Sequence, residues 1–305
     1  MKVFRDVTAI TKPLFFALII ASAHLVGAAP SPKVEIYAPE ELAQTANRVR
    51  ELAEEDFSEI LNLTGRIGFS REIRVVLIPE GTPLAGETPS WVAGYARGDR
   101  STVVLFPARV PSYPDRNLRA LLRHEIAHLL VWEAAGGRSV PRWLDEGIAT
   151  VAAREWGLED RARYGAAVIG PGPRSTRQLD RSFAGSAVEV RRAYALSAGF
   201  VRFCQVEYGS LTSARILDGL AEGLNIEKAF RQAAGTDLRR AEKIFFRDQA
   251  LWNTWLPFLT STGALWMAVT LLALLAILRR LAKNRAMRKQ WDSEEVDPSS
   301  TSDVN

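Results

Sequence analysis

The composition of the chain excludes several classes of protein. Its 305 residues are 47% hydrophobic and 24% charged, which is typical of a folded globular protein. A lone cysteine, Cys204, cannot form an intramolecular disulfide. The net charge is +4, but much of it comes from the two ends of the chain. The first 28 residues carry three bases and one acid, and residues 279–305 carry six bases and five acids. The region between these two segments has 30 bases and 29 acids. This neutral region lacks the basic stripe that phosphate binding needs, so nucleic acid is excluded as an expected partner.

The N-terminal segment is typical of a secretory signal. Three basic residues precede an apolar run from Leu14 to Val26, and small residues follow at positions 27–29. This pattern predicts a signal peptide over residues 1–28, with cleavage after Ala28. An uncleaved membrane anchor is the alternative.

A second apolar run extends from Leu256 to Leu278 without a charge. As a helix it would rise about 34 Å, enough to cross a hydrocarbon core of roughly 30 Å. Trp252 and Trp255 precede it and six bases follow it, as at a membrane interface with the cytoplasm. We therefore expect a single-pass membrane protein with a transmembrane helix over residues 256–278 and a cytoplasmic tail over residues 279–305. Its catalytic domain would lie outside the cytoplasm, in the periplasm if the source is bacterial.

The region between the two apolar runs has the pattern of a mixed domain. In Pro39–Asn62 the apolar residues recur at the spacing of an amphipathic helix. Ile73–Ile78 and Thr102–Phe106 are short runs of β-branched residues, which are typical of strands. From Asp115 onward the pattern is almost entirely helical. We expect an α+β domain over residues 33–250, with a small mixed sheet and a mainly helical C-terminal half.

The chemistry is concentrated in the segment from Leu118 to Trp132, which reads LRALLRHEIAHLLVW. On a helix, His124 and His128 lie one turn apart at the margin of the apolar stripe, and Glu125 points into that stripe. Burying these polar groups is unfavourable unless they are paired, and a metal ion removes the penalty. The pattern is HExxH, in which two imidazoles bind zinc and the glutamate lies beside a bound water.

A catalytic zinc site normally has a third protein ligand and an open position for water. Ala134 stands where a metzincin would have its third histidine, so the next candidates lie in the run PRWLDEGIA, which begins at Pro141. Glu146 follows His128 by 18 residues, and two glycines at 136 and 137 supply the turn between the two helices. Asp145 is the alternative ligand, and a third possibility is that neither residue binds the metal.

The combination of HEIAH with a downstream WLDEGIA resembles the peptidase-MA-like branch of the gluzincins, the HExxH-plus-Glu zinc peptidases. The similarity extends from about residue 70 to residue 245. It implies a zincin-like fold, with His124, His128 and Glu146 as zinc ligands and Glu125 as general base. Gluzincins also place a donor against the developing oxyanion, and the segment RRAYALS at 191–197 is similar to the corresponding family segment. Tyr194 is therefore the expected donor; Tyr164 is the alternative, and Tyr194 can equally be a core residue.

These expectations describe a membrane-anchored zinc metalloendopeptidase. Glu125 would take a proton from the zinc-activated water, which attacks a peptide carbonyl. The strand Thr102–Phe106 is expected to be the edge on which a peptide or protein substrate aligns. Two alternatives stay open: a zincin-fold binding or scaffold protein without turnover, and a zinc amidase that acts on a non-protein amide.

Overall fold

A computed structural model of the chain describes residues 32–111, 114–153, 172–248 and 262–294. Several predictions fall outside these ranges. They are the signal peptide over residues 1–28, Tyr164, the first six residues of the predicted membrane segment and the last eleven residues of the tail.

One four-stranded sheet is formed by β1 (Val34–Tyr37), β2 (Ile73–Leu77), β3 (Gly94–Arg97) and β4 (Thr102–Leu105). The spatial order is β1-β2-β4-β3, in which β1, β2 and β4 are parallel and β3 is antiparallel to β4. The two predicted strands are confirmed as β2 and β4, each one residue shorter than expected. The prediction that the strand at 102–106 is the edge for substrate is wrong, because β4 is paired on both sides; in the described sheet the edge strands are β1 and β3.

Helices make up most of the remaining described residues. In chain order they are α1 (Ala43–Ala53), α2 (Ser58–Thr64), α3 (Pro83–Glu87), α4 (Leu118–Ala134), α5 (Arg142–Ala153), α6 (Thr176–Ser182), α7 (Ala187–Tyr208), α8 (Thr212–Ala221), α9 (Ile226–Ala234), α10 (Leu238–Lys243) with a π-helical turn at Ile244–Asp248, and α11 (Thr262–Glu294). The single helix predicted for Pro39–Asn62 is divided into α1 and α2. Asp56 lies at the division, where its carboxylate accepts a 2.7 Å hydrogen bond from the backbone N–H of Ser58.

The sheet separates two apolar clusters. Val103 and Leu105 of β4 belong to the main core, which most of the helices share, whereas Val104 faces the opposite side and packs with Ala85 and Phe106. This alternation is what a strand with both faces covered requires. Within the main core, α5 packs between α4 and α7, and nearly all of its residues are buried. The small mixed sheet and the mainly helical remainder confirm the α+β prediction.

The turn between α4 and α5 is made by two glycines. Gly136 and Gly137 have φ angles of +62° and +72°, a left-handed conformation that side chains with a Cβ adopt only with strain. The turn ends α4 and lets α5 pack back against it. This confirms the role predicted for the glycine pair.

The prediction of a C-terminal transmembrane helix over Leu256–Leu278 is wrong for the residues that the structure describes. Across the described ranges, no helix is long and apolar enough to cross a membrane. This finding contradicts the predicted single-pass membrane protein with an extracytoplasmic domain and a cytoplasmic C-terminus.

Candidate metal centre

Helix α4 carries the HExxH motif into the core. Asn117 caps its first turn, because the side-chain oxygen accepts a 2.8 Å hydrogen bond from the backbone N–H of Ala120. His124 and Glu125 are buried and His128 is partly exposed. The two imidazole rings lie 4.7 Å apart between centroids, at an interplanar angle of 76°.

Glu146 on α5 faces both imidazoles. Its Oε2 lies 3.5 Å from the Nε2 of His124 and 3.5 Å from the Nε2 of His128. One ligand atom from each of the three residues lies within 4.8 Å of the others. The Oε2 atom is buried and has no hydrogen-bond partner in the part of the chain that the structure describes. A buried carboxylate oxygen at the same distance from two imidazole nitrogens is the arrangement expected of three residues that bind one metal ion.

The spacing also fits a zinc ion. Zinc ligands at about 2.0–2.2 Å from the metal, at tetrahedral angles, lie roughly 3.4 Å from one another. The two 3.5 Å separations from Glu146 match that value. Two imidazole nitrogens and one carboxylate oxygen are, in addition, a donor set that zinc accepts. The residues present therefore fit the metal that the sequence predicts.

A second carboxylate lies behind each imidazole. The Nδ1 of His128 is hydrogen-bonded to Oδ1 of Asp145 at 2.7 Å, and the Nδ1 of His124 lies 3.6 Å from Oδ1 of Asp115. Asp145, the alternative ligand from the sequence, thus contacts the ring nitrogen that faces away from Glu146. A carboxylate that is hydrogen-bonded to the outer ring nitrogen, as Asp145 is, fixes the tautomer and orientation of a metal-binding histidine.

The charges of the cluster shift the pKa values of its members strongly. Burial lowers the pKa of His128, but the carboxylates of Asp145 and Glu146 outweigh it and raise that pKa well above its usual value. For His124, burial is likewise outweighed by the carboxylates of Asp115 and Glu146, and the pKa is raised. Burial opposes the charge of Glu146, yet the two imidazoles hold its pKa far below the usual range. The negative charge of Glu146 and the protonated forms of the two imidazoles therefore stabilise one another.

Glu125 lies beside this cluster, under the edge of the sheet. Burial raises the pKa of Glu125 to about 7, against the opposing effect of the two histidines. β3 approaches it closely at Gly94, where an added Cβ would lie 3.1 Å from both Cγ and Oε1 of Glu125. Glycine at this position lets the edge strand contact the carboxyl group directly.

A cavity of about 420 Å³ opens over these residues. Tyr194, from α7, lines it with its ring 6.4 Å from that of His124 and packs edge-on against Phe183 at 5.2 Å. Arg142 lines it from the first turn of α5, with Nε 3.5 Å from Oε1 of Glu146. The cavity thus brings together the five predicted site residues: His124, Glu125, His128, Glu146 and Tyr194.

Sequence reasoning missed two of the charged residues in this cavity. Asp115 precedes α4 in a loop, and nothing in its sequence neighbourhood points to His124. Arg142 precedes Glu146 by four residues on one helix, and this spacing is the signal that could have found it.

Comparison with known proteins adds one finding. A family model described as the peptidase MA superfamily matches residues 86–256, more than half of the chain. The matched region contains β3, α4, α5, α7 and every residue of the cavity described above. No curated protein and no solved structure matches the chain. The family match confirms the resemblance drawn from HEIAH and WLDEGIA, and the chain belongs to the peptidase MA superfamily of peptidase-type enzymes.

Proposed function

We propose that the protein is a zinc-dependent metalloendopeptidase. His124, His128 and Glu146 are the proposed zinc ligands, and Glu125 is the proposed general base. The observation that carries the proposal is the position of the Glu146 Oε2 atom, which is buried, has no hydrogen-bond partner among the described residues and lies 3.5 Å from the Nε2 atom of each histidine.

Zinc held by these residues would polarise a substrate carbonyl and lower the pKa of a water molecule. The task left to Glu125 is proton transfer: its carboxylate accepts a proton as the water attacks and then gives it to the leaving amine. A carboxyl group whose pKa burial raises to about 7 can do both near neutral pH. Its close contact with β3 at Gly94 keeps the carboxyl group next to the place where a substrate backbone would lie.

Tyr194 is the proposed donor to the developing oxyanion. Burial, assisted by the charge of Glu146, raises the pKa of Tyr194 far above its usual value, so the hydroxyl keeps its proton. A protonated hydroxyl is a hydrogen-bond donor, which oxyanion stabilisation requires. The edge-on contact with Phe183 at 5.2 Å restricts the ring.

The substrate backbone is proposed to pair with β3. In the described sheet this strand is bonded to β4 on one side, and residues from Gly94 to Ala96 line the cavity. An extended peptide that adds to such an edge gains backbone hydrogen bonds whatever its sequence. The scissile bond would then lie between β3 and the cluster of α4 and α5.

The test combines metal analysis with one isosteric substitution. Glu125→Gln keeps the shape of the side chain and removes the base, so zinc content should stay at about one per chain while peptide cleavage falls by roughly 10²–10⁴-fold. Glu222→Gln, at an exposed position on the end of α8, is the matched control and should change neither quantity. Full cleavage by a zinc-loaded Glu125→Gln protein would refute the mechanism.

The same experiment addresses the two alternatives. A binding or scaffold protein would cleave no peptide, and its partner binding would not respond to Glu125→Gln. A zinc amidase would bind zinc and leave a degenerate peptide library intact.

A further inference from the structure

Trp132 lies one helical turn beyond His128 on α4 and lines the same cavity. Its side chain is partly buried, so one part of the indole packs into the protein while another part borders the cavity. Neither the proposed proton transfer nor the proposed zinc site uses this residue.

Two glycines make the space that the indole occupies. A Cβ added at Gly98 would lie 2.3 Å from Cγ and Cδ2 of Trp132, and one added at Gly137 would lie 3.1 Å from Cζ2. Gly137 also needs glycine for its positive φ, but Gly98 does not have such a backbone conformation. Room for the indole is therefore the reason for glycine at position 98. The close approach of the two glycines restricts the ring, and a side chain that is restricted before substrate binds loses less entropy on binding.

A second tryptophan lies near the other end of the edge strand. Gly98 directly follows β3, so Trp132 is next to the C-terminal end of that strand, whereas Trp91 precedes the strand by three residues. Trp91 also lines the cavity and exposes 75% of its surface. The four residues of β3 span roughly 13 Å, so a peptide of similar length paired with it would bring side chains near each indole.

We propose that this cleft selects substrates with bulky apolar or aromatic side chains, and that Trp132 is the residue that determines the preference on its side of the scissile bond. The inference rests on the proposed peptidase function and adds its substrate class. Indoles provide large apolar contact surfaces at little loss of rotamer freedom. The other side chains toward the cavity centre are mostly charged, among them Glu125, Arg142 and Glu146, so the two indoles supply large apolar surfaces in this cavity.

Cleavage of a matched peptide series by the full chain tests the preference. The peptides share an alanine-rich background and carry Trp, Phe, Leu, Ala or Asp at one position at a time on either side of the scissile bond. Wild-type kcat/KM should favour the large apolar residues over Ala by about 10-fold or more, on the scale seen for apolar pockets. Trp132→Ala should remove this preference at one position, because it lowers kcat/KM for the peptides with large apolar residues by more than it lowers kcat/KM for the all-alanine peptide. Trp266→Ala, at a position 66% exposed on α11, is the matched control.

Gly98→Ala is an independent variant, because its added Cβ would displace the indole without deleting it. It should lower the preference at the same position as Trp132→Ala. The inference is overturned if the wild type shows no preference, or if Trp132→Ala lowers cleavage of every peptide equally.

Peptide binding separates this inference from the proposed function. In a Glu125→Gln background the same peptides should bind without being cut, and calorimetry should give tighter binding for the aromatic ones, an effect lost when Trp132→Ala is added. Selective binding without any cleavage by the wild type would refute the peptidase and retain the specificity site. Cleavage together with unselective binding would refute the specificity site alone.

Discussion

The Nδ1 atom of His128 donates a 2.7 Å hydrogen bond to Oδ1 of Asp145, while the Nε2 atom of the same ring lies 3.5 Å from Oε2 of Glu146. Two consecutive residues of α5 therefore contact the two nitrogens of one imidazole. Because Asp145 and Glu146 are neighbours on one helix, a rotation of α5 would move both. The orientation of the His128 ring and the position of Glu146, the other proposed ligand, are therefore set by the same helix.

This arrangement predicts that Asp145 affects metal affinity without binding the metal. Asp145→Ala removes the acceptor that fixes the His128 ring, and zinc affinity should fall by about 10–100-fold. Asp145→Asn keeps an acceptor oxygen and loses the charge, so its effect should be smaller. Competition with a chromophoric chelator measures both. Asp218→Ala, which breaks an exposed ion pair with Arg66, is the control and should leave affinity unchanged. An unaltered affinity in Asp145→Ala would exclude this role.

Zinc should also stabilise the fold. Ligand that binds the native state at 100 times its Kd adds about 2.7 kcal/mol to the free energy of unfolding, which raises Tm by roughly 5–10 °C for a chain of this size. His128→Ala should abolish the rise, because it removes one of the three proposed ligands. Thermal unfolding with zinc and with a chelator gives the comparison. An equal zinc-dependent rise in His128→Ala would show that the ion binds elsewhere.

Zinc binding should release protons and weaken as the pH falls. The carboxylates of Asp145 and Glu146 raise the pKa of His128 well above its usual value, so near pH 7 the ring carries a proton that zinc must displace. Lowering the pH increases the protonated fraction and therefore opposes binding. Calorimetry in two buffers of different ionisation enthalpy should show release of about one to two protons. Heats that do not depend on the buffer would contradict the prediction.

The parts of the site that the sequence predicts are local ones. His124, Glu125 and His128 lie within five residues, so helical spacing alone brings them together. Glu146 could be inferred because only a short, glycine-containing connection separates α5 from α4. The contact of Asp115 with His124 and the edge position of β3 depend on how separate segments pack, and the short segment Gly94–Arg97 has no apolar alternation to mark it as a strand.

Arg123 shows where helical periodicity fails. It lies opposite the apolar stripe of α4, where helical periodicity predicts exposure to solvent, yet only 5% of it is exposed. Its guanidinium donates hydrogen bonds of 2.9 and 2.8 Å to the carbonyl oxygens of Ala152 and Asp56. These partners lie 29 residues after Arg123 and 67 residues before it, so the pattern of residues within α4 cannot predict them.

The packing of α5 against α7 predicts a specific effect of one methyl group. In Gly147→Ala the added Cβ would lie 2.8 Å from the carbonyl oxygen of Ser197 and 2.8 Å from Cγ2 of Val201, and the contact with the carbonyl oxygen can be relieved only by a backbone shift. The free energy of unfolding should fall by about 1–3 kcal/mol. Zinc affinity should fall as well, since Glu146 is the preceding residue. Gly68→Ala is the control, because no described residue has an atom within 4 Å of its added Cβ and its backbone is not left-handed. The stability of this variant should change by less than about 0.5 kcal/mol. Chemical denaturation with and without zinc measures the free energy of unfolding of both variants. Equal stability of the two variants would contradict the prediction, because it would mean that the interface between α5 and α7 has room for the added methyl group.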